Sequence, residues 1–92
     1  MIACRENIVI VNHRGLHARA SAKFVNMVSD LPASCVVTVS KDGTEAAGGS
    51  ILGLMMLGAA KGDSITISAD GDGAEAAVEA LVALVEGKFG ED

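Results

Sequence analysis

The sequence predicts an α+β domain: one four-stranded antiparallel sheet with two long helices and one short helix on one face. Two observations predict it. Apolar residues switch between period two and three-to-four spacing along the chain, in the order β-α-β-β-(short α)-β-α. That order lacks the regular β-α alternation that builds a parallel sheet. The 92 residues, 50% hydrophobic and 21% charged, also argue for a single domain over 1–92 and against disorder.

Each element has its own signal. Ile8-Val9-Ile10-Val11 is a β-branched run that reads as a strand ending at Asn12, and His13-Arg14-Gly15 reads as a turn. From Ala18 onward, Ala20, Phe24, Met27/Val28 and Leu31 recur at helical spacing, with Arg19, Lys23, Asn26 and Asp30 on the opposite stripe. Pro32 stops that helix. Ser34 to Ser40 is a second strand, Lys41-Asp42-Gly43 a hairpin turn, and Thr44 to Ala47 a short third strand broken by Gly48-Gly49. Ser50 to Leu57 reads as a short helix capped by Ser50 and ended by Gly58. Ser64 to Ala69 alternates strictly, which sends Ile65 and Ile67 into the core. Asp72, with Glu75 three residues on, makes a capping-box pattern for a last helix. Its apolar stripe is Ala74, Ala77, Val78, Leu81, Leu84 and Val85, and Gly87 is its stop. The tail from Phe89 to Asp92 reads as loose, with Phe89 able to tuck back.

Charge excludes some functions and points to another. The formal net charge of −5 and the absence of Trp and Tyr argue against nucleic-acid binding. The longest uncharged run, between Glu45 and Lys61, is interrupted by glycines and is too short to span a bilayer. No signal-peptide pattern opens the chain, so a cytoplasmic location is expected. Cys4 and Cys35 lack zinc or redox-pair spacing and read as small thiols in a reducing compartment. No cofactor is implied. Within this acidic chain Arg14, Arg19 and Lys23 form a local basic cluster, which suggests a small anionic target at one place.

That cluster brackets His17, at the junction of a loop and a helix. The first amides of that helix, those of Ala18, Arg19 and Ala20, have no intrahelical partner, and the helix dipole adds partial positive charge there. An imidazole at such an anion site can act as a nucleophile whose phosphate adduct lands among free N–H donors. Arg19 can reach phosphoryl oxygens with its planar fork. Spacing alone leaves open a plainer reading: a histidine that only starts the helix, beside solvated arginines. Metal binding by His13 and His17 lacks a third ligand nearby in sequence.

Asn12-His13-Arg14-Gly15-Leu16-His17-Ala18-Arg19 strongly resembles the active-site segment of the HPr family, the histidine phosphocarriers of the phosphoenolpyruvate-dependent phosphotransferase system. Gly49-Ser50-Ile51-Leu52-Gly53-Leu54-Met55-Met56-Leu57-Gly58 resembles the same family's regulatory-serine segment. The resemblance covers essentially the whole chain and implies the HPr open-faced β-sandwich. It implies phosphorylation of His17 at Nδ1, stabilisation of the phosphoryl group by Arg19, and Ser50 as a site for an HPr kinase/phosphorylase. It further implies an enzyme I-type donor or its nitrogen-branch equivalent, an EIIA-type acceptor, and a monomeric carrier rather than a stand-alone enzyme. The ending Glu86-Gly87-Lys88-Phe89-Gly90-Glu91-Asp92 and the Asp42-to-Ala46 turn look more like the nitrogen-related NPr branch. One departure stands out: Ala20-Ser21 occupies the place of the family's usual Pro-Ala, which restores a backbone donor in the first helical turn.

Capping alone would explain Ser50, since serine is a favoured N-cap. The helix it starts, however, carries more large apolar residues than so small a domain can bury. Ile51, Leu52, Met55 or Met56 is therefore expected to form an exposed docking patch beside His17. A docking-only regulatory module of this fold, and a small anion-binding sensor domain, are the alternative functions.

Overall fold

Strict alternation puts Ile65, Ile67 and Ala69 on one side of the central strand and Ser64, Thr66 and Ser68 on the other, and the sheet is built around that strand. The computed structural model describes residues 3–91. Its elements are β1 (Ala3–Val9), α1 (Ala18–Ser29), β2 (Val36–Lys41), β3 (Thr44–Ala47), α2 (Ile51–Met56), β4 (Ser64–Asp70) and α3 (Ala74–Glu86), followed by a 3-10 turn, Lys88–Gly90. The strands form one antiparallel sheet in the order β1-β4-β2-β3. Ile8 lies opposite Ile65, and Val39 lies between Ile67 and Ala46.

The helices cover the apolar face. α3 packs on β1 and β4, α2 on β3, and α1 on both α2 and α3. Phe24, Leu54, Leu81, Val85 and Phe89 meet Ile10, Val39, Ile65 and Ile67 in a single core. The opposite face stays open and polar, with Arg5, Asn7, Ser40 and Thr66 on it. There Thr66 Oγ1 donates to Asn7 Oδ1 at 2.5 Å.

Several boundaries differ from the sequence expectation, each for a tertiary reason. β1 begins at Ala3 rather than Ile8 because its whole length pairs with β4, from Ala3 opposite Asp70 to Val9 opposite Ser64. Ile10 has left the ladder, yet its N–H donates to Asp63 O and its carbonyl accepts from Gly62 N, both at 2.8 Å. β2 starts two residues late because Cys35 N closes a turn on Pro32 O. α1 ends at Ser29, before the expected Leu31-Pro32 stop, and Leu31 remains packed on the core.

The capping box at Asp72 does not form. The N-cap of α3 is Gly73, at φ +76°, and the Asp72 carboxylate instead accepts from Ser34 Oγ at 3.0 Å. The chain enters this helix through Gly71, at φ +107°, pressed against the Ser34 carbonyl where any Cβ would collide. That approach sets the turn and takes Asp72 away from the helix amides. From Phe89 to Glu91 the tail is not loose either: Phe89 is fully buried, and Gly90 N and Glu91 N close turns onto Gly87 O and Lys88 O, while Asp92 lies outside the described residues.

Candidate functional site

The loop from Asn12 to His17 is held from both sides. Asn12 is buried, and its Nδ2 donates to Gly15 O at 2.9 Å. Gly15, at φ +64°, lies against the Ala59 carbonyl so closely that a Cβ there would overlap it. Leu16 is buried and donates its N–H to Ala59 O at 3.0 Å. These contacts tie the loop to the segment that follows α2.

His17 is the N-cap of α1, with extended backbone (φ −76°, ψ −178°), and its carbonyl accepts from Ser21 N at 2.9 Å. Its side chain makes no cap hydrogen bond. Helical geometry therefore leaves the N–H groups of Ala18, Arg19 and Ala20 open at the helix start. The departure at Ala20-Ser21 fits this turn. Both residues are fully buried, Ala20 keeps its N–H, and Ser21 Oγ donates to Leu16 O at 3.2 Å.

The imidazole is engaged elsewhere. His17 Nε2 lies 2.6 Å from Glu91 Oε2, with the two side chains only 22% and 16% exposed. The other carboxylate oxygen, Oε1, accepts from Asn12 Nδ2 at 3.1 Å. Hydrogen bonds from His17 and then from Asn12 hold the Glu91 carboxyl below its ordinary range, with smaller help from the charges of His17 and Lys23 against the opposing effect of burial. Lys23 Nζ donates to Phe89 O at 2.6 Å, which anchors the tail beside α1. Sequence reasoning missed Glu91. The signal that could have found it was Phe89, an aromatic residue in an otherwise polar tail.

Of the basic cluster, Lys23 is thus tied to the tail. Arg14 and Arg19 are exposed and have no carboxylate partner among the described residues. His13 is exposed on the loop. Among the described residues no group of three His, Cys, Asp or Glu side chains could hold a metal ion.

Ser50 caps α2, with its Oγ accepting from Gly53 N at 3.0 Å. Leu54 and Leu57 face the core, whereas Leu52 and Met56 are 67% and 75% exposed and Ile51 and Met55 are each 40% exposed. The apolar patch expected on α2 is therefore present at the surface. Because α1 packs on α2, this patch and His17 belong to the same helical layer. Among the described residues no helix is long and apolar enough to cross a membrane.

The sequence model of one protein family, described as the PTS HPr component phosphorylation site, matches residues 4–87. A phosphocarrier protein HPr of Neisseria meningitidis is 45% identical over 87 residues, covering 95% of this chain and 96% of the relative. A phosphocarrier protein NPr of Escherichia coli is 35% identical over 96% of this chain and 97% of its own length. The crystal structure of an HPr from Thermoanaerobacter tengcongensis superposes with a TM-score of 0.90 at 43% identity, covering 97% of this chain and 98% of the other.

Proposed function

This chain belongs to the PTS HPr family of phosphocarriers, and on that premise we propose that His17 is the residue that carries the phosphoryl group. The observation that carries the reading is the start of α1, where His17 leaves the amides of Ala18, Arg19 and Ala20 without a side-chain cap. A phosphoryl group on the adjacent ring would meet those donors and the positive end of the helix dipole. Nδ1 attacks phosphorus, the donor's N–P bond breaks, and the bonding pair returns to the donor nitrogen. Arg19, exposed and without a carboxylate partner among the described residues, turns its fork onto the phosphoryl oxygens. The chain is a carrier in this scheme, taking the group from an enzyme I-type donor or its nitrogen-branch equivalent and handing it to an EIIA-type acceptor. It works as a cytoplasmic monomer and needs no cofactor.

Ser50 is the regulatory position in this reading, and Ile51, Leu52, Met55 and Met56 form the surface on which partners dock. The exposure of these four side chains supports that role. The same exposure favours a second reading, a docking-only module in which His17 stays unmodified. Incubation with phosphoenolpyruvate and a donor enzyme separates the two. Acid-labile label is expected on wild type and His13→Ala and absent from His17→Ala. Label that survives His17→Ala overturns the assignment.

A further inference from the structure

Glu91 lies beyond the residues matched by the family model, yet it makes a direct side-chain contact with His17. We propose that Glu91 is a positioning residue that holds His17 in the Nε2–H tautomer and so leaves the Nδ1 lone pair free for phosphoryl transfer. The inference rests on the carrier reading of His17. An ionised carboxylate accepts hydrogen bonds and cannot donate one. The 2.6 Å contact between Glu91 Oε2 and His17 Nε2 therefore requires the hydrogen on Nε2. In a neutral imidazole the other nitrogen, Nδ1, is then unprotonated. The hydrogen bonds that lower the Glu91 pKa keep it in the accepting, charged form.

The tail that carries Glu91 is fixed at three points. Glu91 Oε1 accepts from the buried Asn12 Nδ2, the same group that donates to Gly15 O and shapes the His17 loop. Lys23 Nζ holds the carbonyl of Phe89, and the Phe89 ring is wholly buried. Lys88 and Phe89 lie at φ +58° and +55°, a left-handed conformation uncommon for non-glycine residues. The tail is thus a strap whose packing determines where its carboxylate sits.

The arrangement also suits the transfer step. As the Nδ1–P bond forms and the donor's N–P bond breaks, positive charge develops on the imidazole ring. The proton on Nε2 stays in place, and Glu91 across the ring neutralises that charge, as the carboxylate of a hydrolase triad does for its imidazolium. No proton has to leave the ring in either direction of transfer.

The test is nitrogen-detected NMR of the His17 ring in the full chain, at a pH where the imidazole is neutral, alongside the initial rate of labelling. Wild type is expected to show a protonated Nε2 and a bare Nδ1. Glu91→Gln, whose amide both donates and accepts, is expected to mix the tautomers and slow labelling about tenfold. Glu91→Asp, which retains the carboxylate, is expected to recover part of both. The melting temperatures verify that all three proteins are folded. A wild-type ring protonated on Nδ1, or a Glu91→Gln rate equal to wild type, overturns the proposal. The tautomer measurement needs no donor enzyme, so failure to label His17 at all sinks the carrier reading separately.

Discussion

Helix α2 begins on a serine whose hydroxyl accepts from the Gly53 amide, whereas α1 begins on a histidine whose ring makes no cap bond and meets Glu91 instead. Both N-caps have extended backbone, so the two starts are alike in local geometry. They differ in what happens to the free amides. At Ser50 the side chain satisfies one of them and adds to stability. At His17 no side chain takes that place. One helix start is closed by its own residue; the other is kept open while distant residues hold its cap in place.

Closing the open start gives the largest expected effect. In His17→Ser the hydroxyl can cap α1, so labelling is expected to vanish. Stability should nonetheless exceed that of His17→Ala by about 0.5–2 kcal/mol, the usual worth of such a cap. Equal melting of the two variants would show that α1 does not start as described. Arg19→Ala comes next, with transfer slowed about tenfold, because a charge-assisted hydrogen bond contributes roughly 1.5–3 kcal/mol. Its exposed position predicts a stability change under about 0.5 kcal/mol, and rapid-quench transfer rates beside thermal melts separate the two effects.

At the closed start the effects are reversed. Ser50→Ala is expected to cost about 1 kcal/mol in denaturant titration while leaving transfer unchanged. Ser50→Asp keeps a capping oxygen and adds charge at the edge of the exposed patch, so it should melt normally and transfer more slowly than Ser50→Ala. Equal transfer by the two variants removes the docking role from this patch. The smallest effect concerns pH. The Glu91 carboxyl is held below its ordinary range, so its contribution to folding is present above that range and is lost as pH falls through the lowered value. The Phe89 ring signals should therefore hold steady from about pH 7 to about pH 5 and shift only in stronger acid. Release of the ring above about pH 5 would contradict the strap.

The open helix start was legible in the sequence, and what holds it was not. The stripe through Ala20 and Phe24 and the alternation at Ile65 and Ile67 are local periodicities, and each produced the expected element, although α1 stops short of Leu31. The Ser50 cap is a four-residue pattern and was equally readable. The contact between Glu91 and His17 spans 74 positions, and no local period encodes it. Asp72 failed as a cap for the same kind of reason: the approach of Gly71 to Ser34 is tertiary and overrides a pattern that is locally favourable. The residue types at the site were visible in the sequence; the tail that fixes the ring orientation was set by the burial of Phe89.

The most direct test is to identify the ring nitrogen that carries the phosphate. The protein would be phosphorylated with phosphoenolpyruvate and a donor enzyme, and the His17 ring examined by nitrogen and phosphorus NMR. The expected result is phosphate on Nδ1 with a hydrogen retained on Nε2 and the Glu91 contact intact. Phosphate on Nε2, which would have to displace Glu91, or phosphate on His13, would contradict it.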